Sequence, residues 1–166
     1  MSAVIAYVGL GSNLDDPQQQ VRRALDALDD LRDSRVLRRS GLYRTSPWGY
    51  PDQPDFVNAV AELETRLSPR ELLDGMLDIE RRAGRRRDGA RWGPRVIDLD
   101  LLVYADRRIA EPGLEIPHPR MAERAFVIFP LAELAPALQV PGLGPVSAMA
   151  SRLDAASCER ISRGSG

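Results

Sequence analysis

The chain has 166 residues, 43% of them apolar, and a formal net charge of −1. That suits a single hydrophobic core and excludes both wholesale disorder and a general nucleic-acid binder, which would carry a basic excess. All 23 basic residues are arginine, so a Schiff-base lysine and a P-loop are excluded, and any phosphate must be held by guanidinium forks, backbone amides or metal.

The apolar run at the N-terminus is too short for a membrane span and no basic residue precedes it, so neither a membrane anchor nor a secretory leader is expected. Val4 to Leu10 reads as a buried strand, broken by Gly11, Ser12 and Asn13. Gly9-Leu10-Gly11 half-matches a dinucleotide fingerprint, but Leu14 stands where its third glycine belongs. The glycines are therefore read as a tight turn near the site. Asp15 or Asp16 caps the next helix, with Pro17 in its first turn. Val21, Ala24, Leu25, Leu28 and Leu31 recur on one face of it. Arg35 to Arg44 is expected as a second strand. Thr45 to Asp55 holds Pro47, Pro51 and Pro54 with Gly49, which excludes helix and central strand, and a connection of this length is often functional. Phe56 to Leu63 returns to strand.

Ser68-Pro69-Arg70-Glu71 is a capping box with proline at the first helical position. Leu72, Leu73, Met76, Leu77, Ile79 and Ala83 follow as an apolar face, and Gly84 is a natural stop. Arg85 to Arg95 is a basic, glycine-containing loop. Val96 to Tyr104 is the clearest strand of the chain, followed by a turn at Ala105 to Arg107 and a short strand at Leu114 to Ile116. Pro119 to Ala135 reads as helical pieces interrupted by Pro130. Cys158 is the single cysteine, so no intrachain disulfide forms, and a reducing, cytoplasmic setting is expected. The tail from about 155 is expected to be loosely held. The order strand, helix, strand, strand, helix, strand is that of the ferredoxin-like βαββαβ arrangement. The expected fold is α+β, with a mainly antiparallel sheet, helices on one face, and the other face open to ligand beneath two long loops. One monomeric domain over residues 1–166 is expected.

Alternation along the clearest strand puts Ile97, Leu99, Leu101 and Val103 on an aliphatic face and Asp98 and Asp100 together on the other. Two neighbouring carboxylates repel unless a cation or proton relieves them, and hard oxygen donors without cysteine or histidine suit magnesium. An isolated Asp-x-Asp is most often a solvated polar face. The upstream arginines change that weighting, because mobile guanidinium groups beside an acidic pair supply both halves of a phosphate site. Phe56 and Asn58 project from the opposite side of their strand to Val57, Ala59, Ala61 and Leu63; taken alone they read as a core phenylalanine and a strand-end asparagine, but a ring beside an amide also suits a flat heterocycle. His118, the only histidine, lies in a Pro-His-Pro loop and cannot build a zinc site alone.

The segments from Gly9 to Leu14, Tyr43 to Val60, Gly84 to Tyr104 and Pro117 to Pro136 together resemble the 6-hydroxymethyl-7,8-dihydropterin pyrophosphokinases of folate biosynthesis. The resemblance implies transfer of pyrophosphate from ATP to the pterin hydroxymethyl group, with two magnesium ions on Asp98 and Asp100. It implies a pterin site of Phe56 and Phe126 around the ring, with Asn58, Thr45 and Trp48. Arg85 and Arg95 match arginines implicated in transfer. Arg87, Arg91 and Trp92 lie on the matching loop, and Glu80, His118 and Arg124 match nucleotide-side positions. Ala105 stands where many relatives have glycine. Two other readings are a non-catalytic binding module on the same scaffold and a different magnesium-dependent phosphotransferase.

Overall fold

The computed structural model describes residues 2–14, 16–45, 55–84 and 96–161. Strand β1 (Val4–Ser12) leads to helix α1 (Pro17–Asp29), strands β2 (Ser34–Arg39), β3 (Tyr43–Thr45) and β4 (Phe56–Thr65), and helix α2 (Pro69–Ala83). Strand β5 (Asp98–Tyr104), the hairpin β6 (Ile109–Glu111) and β7 (Leu114–Ile116), and helix α3 (Ala125–Leu134) follow. The chain closes with the short pair β8 (Gln139–Val140) and β9 (Gly144–Pro145), helix α4 (Val146–Ser151) and strand β10 (Glu159–Arg160).

The helix starts follow the local chemistry. Asp16 caps α1 by accepting the Gln19 N–H at 3.5 Å. At α2, Ser68 Oγ accepts the Glu71 N–H at 3.2 Å while Glu71 Oε1 accepts the Ser68 N–H at 2.9 Å, so two otherwise orphaned donors are satisfied reciprocally. Leu77, which the periodicity assigns to the apolar face of α2, turns outward and is 48% exposed.

Strands β2, β4, β1 and β5 lie side by side and every pairing is antiparallel. This is the sheet order of a βαββαβ chain in which each helix crosses over one strand. Helices α1 and α2 cover one face. There Ala6, Val8 and Leu10 of β1, Val57, Ala59, Ala61 and Leu63 of β4, and Leu99 and Leu101 of β5 meet Val21, Leu25 and Leu28 of α1 and Leu72 and Met76 of α2. Each fully buried leucine here, such as Leu28 or Leu72, contributes about 1.5–3 kcal/mol. The opposite face is not left wholly to ligand. Helices α3 and α4 cover part of it, packing Val127, Ile128, Leu131, Val146 and Met149 over Tyr7, Val60, Leu102 and Val103.

Several local expectations are revised. The expected strand from Arg35 to Arg44 is two strands, β2 and β3, which pair with opposite ends of β4. Between them the Ser40 N–H donates to the Val60 carbonyl and Ser40 Oγ accepts the Val60 N–H, both at 2.9 Å, so a hydroxyl stands in for a ladder carbonyl. Val103 does not share a face with Leu99. A register shift between β1 and β5 pairs Tyr7 with Val103 and Val8 with Leu101, leaving Leu102 as an extra residue that reverses the alternation. Pro130 lies inside a continuous α3 rather than breaking it; its missing N–H leaves the Phe126 carbonyl without that helical donor. The tail is tied down as far as Ile161, the last of its described residues. Residues Ala155–Ser157 form a 3-10 turn, Cys158 is buried, β10 pairs with β3, and the Ile161 N–H donates to the Leu42 carbonyl at 2.8 Å.

Candidate active site

On the α3 side, the part of the sheet not covered by helices forms the floor of a cavity of about 640 Å³. Its base is built by register. Asn58 of β4, Gly11 of β1 and Asp98 of β5 are direct cross-strand partners, and Val60, Gly9 and Asp100 form the parallel row beside them. Directly opposed residues present their side chains on the same face. Asn58 and Asp98 thus stand two strand spacings apart, about 10 Å, with a residue lacking a side chain between them. The glycines are not a tight turn, as the sequence suggests, but strand positions inside β1. A Cβ on Gly11 would come within 2.6 Å of Asn58 Oδ1. The two glycines keep the floor flat where the cavity needs it.

One end of this trough is aromatic and amidic. Thr45 of β3 pairs with Phe56 of β4, and both line the cavity with Asn58. Asn58 is only 5% exposed, and its Nδ2 donates to Thr45 Oγ1 at 3.1 Å, which fixes the amide orientation. Phe126, in the first turn of α3, forms a wall. The Arg124 guanidinium sits 5.6 Å from its ring centroid, within cation–π range.

The other end is ionic. Asp98 and Asp100 both line the cavity and are half-buried, as the alternation requires. Arg124 Nη1 approaches Asp100 Oδ2 at 4.0 Å, so this arginine spans the two ends. Glu80 of α2 is not part of the lining; its Oε2 accepts the Leu99 N–H at 2.7 Å, between the two aspartates. It anchors the start of β5 to α2 and sets where the acidic pair emerges. His118 is half-buried; its N–H donates to the Leu102 carbonyl at 2.9 Å and its Nδ1 accepts the Arg120 N–H at 3.2 Å. Burial holds the His118 pKa below its ordinary value; nearby Asp100 opposes this shift and Arg124 adds to it.

Of the sequence-derived candidates, Thr45, Phe56, Asn58, Asp98, Asp100, Arg124 and Phe126 come together around this one cavity. Trp48, Arg85, Arg87, Arg91, Trp92 and Arg95 lie outside the described residues. The cavity also takes Arg120 and Glu123, and Leu153, Asp154 and Ser157 from the C-terminal segment. Arg120 and Glu123 fall within the Pro117 to Pro136 segment but are assigned no role, and no local pattern in the sequence marks the other three. The role of Gly9 and Gly11 was legible in principle, since glycines two apart in a strand fall on one face.

Comparison with known proteins shows the family. Residues 7–136 match the model of the 7,8-dihydro-6-hydroxymethylpterin-pyrophosphokinase family. The chain is 50% identical over 135 residues to the 2-amino-4-hydroxy-6-hydroxymethyldihydropteridine pyrophosphokinase of Pseudomonas aeruginosa, covering 81% of this chain and 83% of that one. It is 44% identical over 156 residues to the protein of that name from Methylorubrum extorquens, covering 94% and 98% respectively. Among solved structures, Plasmodium falciparum HPPK-DHPS with pteroate superposes with a TM-score of 0.72 at 13% identity, over 91% of this chain and 44% of that one. This chain spans less than half of that longer protein, and the likeness is one of fold. The chain belongs to the 7,8-dihydro-6-hydroxymethylpterin pyrophosphokinase family.

Proposed function

We propose that this protein transfers the pyrophosphoryl group of ATP to the hydroxymethyl oxygen of 6-hydroxymethyl-7,8-dihydropterin, giving AMP and the pterin diphosphate. One observation carries the reading: an acidic pair and an aromatic-amide pocket face each other across a glycine floor in a single cavity. The separation of about 10 Å between Asn58 and Asp98, at the two ends of one cross-strand row, suits a bicyclic heterocycle whose exocyclic carbon points at the carboxylates. Phe56 and Phe126 offer flat apolar surfaces for the ring, and Asn58, oriented by Thr45, offers a hydrogen-bonding edge.

The donor chemistry of Asp98 and Asp100 fits magnesium. Among the described residues no group of three or more His, Cys, Asp or Glu could hold a metal. A two-carboxylate set leaves the other ligand positions to phosphate and water, as magnesium commonly requires. When bound, magnesium supplies Lewis-acid neutralisation of the phosphoryl oxygens. Asp98 and Asp100 would hold it, Glu80 fixes the strand that carries them, and Arg124 adds positive charge where the triphosphate would meet the ring. Arg85 and Arg95 are proposed to neutralise charge developing in transfer. Arg87, Arg91, Trp92 and His118 are proposed on the nucleotide side, with Trp48 on the pterin side. No side chain is assigned as general base; positioning and charge neutralisation account for most phosphoryl-transfer catalysis. We read the protein as a cytoplasmic monomer, which light scattering of the purified chain and fractionation of its host check.

The decisive assay supplies ATP, magnesium and 6-hydroxymethyl-7,8-dihydropterin and follows nucleotide products. Pterin-dependent AMP is expected, and chelation should abolish it. Formation of ADP would overturn the reading in favour of ordinary phosphoryl transfer.

A further inference from the structure

The family match ends at residue 136, yet the chain beyond it supplies Leu153, Asp154 and Ser157 to the cavity lining. Leu153 is half-buried and, like Phe126, packs on the core beneath α3 and α4. Asp154 Oδ1 accepts the Ala156 N–H at 2.9 Å and its carbonyl accepts the Ser157 N–H at 3.1 Å, so Asp154 to Ser157 is one closed turn. That turn is held at its far end. Cys158 is buried, Glu159 and Arg160 pair with Arg44 and Tyr43, and Arg160 Nη1 lies 3.9 Å from Glu133 Oε1. Glu133 in turn accepts the Tyr43 hydroxyl at 2.7 Å and the Gly41 N–H at 3.0 Å. The segment is therefore fastened to β3, the strand that carries Thr45.

Sheet order then decides which end of the cavity it serves. From β3 to β5 is three strand spacings, about 14 Å. Ser157 lies two residues before Glu159, within about 7 Å of chain from that anchor. We infer that Leu153, Asp154 and Ser157 form a wall at the heterocycle end of the cavity, and that Leu153 sets affinity for the pterin and not for the nucleotide. This rests on the pterin reading above and extends it to residues outside the matched region.

The test uses the full-length chain with Leu153→Ala and Leu153→Met. Pterin binding is measured by isothermal titration in the presence of a non-hydrolysable ATP analogue, and KM is measured for each substrate in the AMP assay. Leu153→Ala is expected to raise pterin Kd and pterin KM about tenfold, with ATP KM changing less than twofold. Leu153→Met, similar in volume, should restore most of the pterin affinity. A purely structural role would instead lower the active fraction and the melting temperature while leaving the pterin KM of the surviving enzyme alone. That result, or parallel rises for both substrates, overturns the inference. If the unmodified protein forms no pterin-dependent AMP and binds no pterin, the functional reading itself falls and takes the inference with it. A pterin-active wild type with an indifferent Leu153→Ala sinks only the inference.

Discussion

Replacing Gly11 by alanine is the sharpest test of how the floor of the cavity works. In an ordinary strand this change would stabilise, because glycine in a strand interior is less favourable than alanine by roughly 0.5–1 kcal/mol. Here the new Cβ would lie 2.6 Å from Asn58 Oδ1. The amide is 5% exposed and held by Thr45 at 3.1 Å, so it has little room to yield. Moving it breaks that hydrogen bond and leaves a buried polar group poorly paired, a loss of about 1–3 kcal/mol. The sign of the stability change therefore reverses, and the proposed pterin site loses its oriented amide. A displacement worth about 2 kcal/mol at the ligand would raise pterin KM roughly thirtyfold. Denaturant unfolding and pterin KM are measured for Gly11→Ala, Asn58→Ala and the double variant. In the Asn58→Ala background Gly11→Ala should become neutral or stabilising, a coupling of about 1–3 kcal/mol. A stabilised Gly11→Ala single variant with unchanged pterin KM, or strictly additive effects in the cycle, would refute the close packing between floor and amide.

Four other outcomes follow from the geometry. Asp98→Asn and Asp100→Asn should each lower kcat by about a hundredfold or more in the AMP assay while leaving the melting temperature nearly unchanged, since both side chains face the cavity. Glu80→Ala should reduce unfolding free energy by about 1.5–3 kcal/mol through loss of the charged acceptor for the Leu99 N–H, and should lower activity although Glu80 does not line the cavity. Glu62 is held below the ordinary carboxylate range by its bidentate bond from Arg38 and by the Tyr7 hydroxyl; its contribution to stability is present above the unfolded pKa of about 4.3 and is lost as pH falls through the lower folded value, so Glu62→Gln should flatten the acid limb of a stability–pH curve. Ala105 sits at φ 50°, a left-handed conformation that disfavours a Cβ; Ala105→Gly should raise stability by about 0.5–1 kcal/mol in chemical denaturation, and a loss would contradict the strain.

Much of this arrangement was open to sequence reasoning because its signals are local. The capping box at Ser68, the alternation of Asp98 and Asp100 with Leu99 and Leu101, and the split of Phe56 and Asn58 from Val57 and Ala59 each depend on residues within a few positions of one another. What escaped depends on distant partners. Nothing near Val103 announces that Leu102 is an extra residue, because the bulge exists only relative to β1. The break between β2 and β3 is legible only once Ser40 is seen bonding Val60 across the sheet. The tail was expected to be loosely held; the order of residues 155–161 comes from strand pairing to Tyr43 and Arg44 and from the carboxylate of Glu133. The glycines at 9 and 11 suggested a turn by composition, whereas collision with Asn58 is a cross-strand fact.

The extra residue at Leu102 has a wider meaning for how β5 divides its labour. Upstream of it, the strand turns its acids to the cavity and its leucines to α1 and α2; downstream, Val103 joins Leu102 beneath α3 and α4, and Tyr104 turns to the first core. One short strand can thus line a polar trough and, three residues later, plug an apolar interior on that same side. Deleting the surplus residue would restore regular pleating at the expense of that changeover, and evolutionary or engineered shortening of this strand should be far less tolerated than substitution within it.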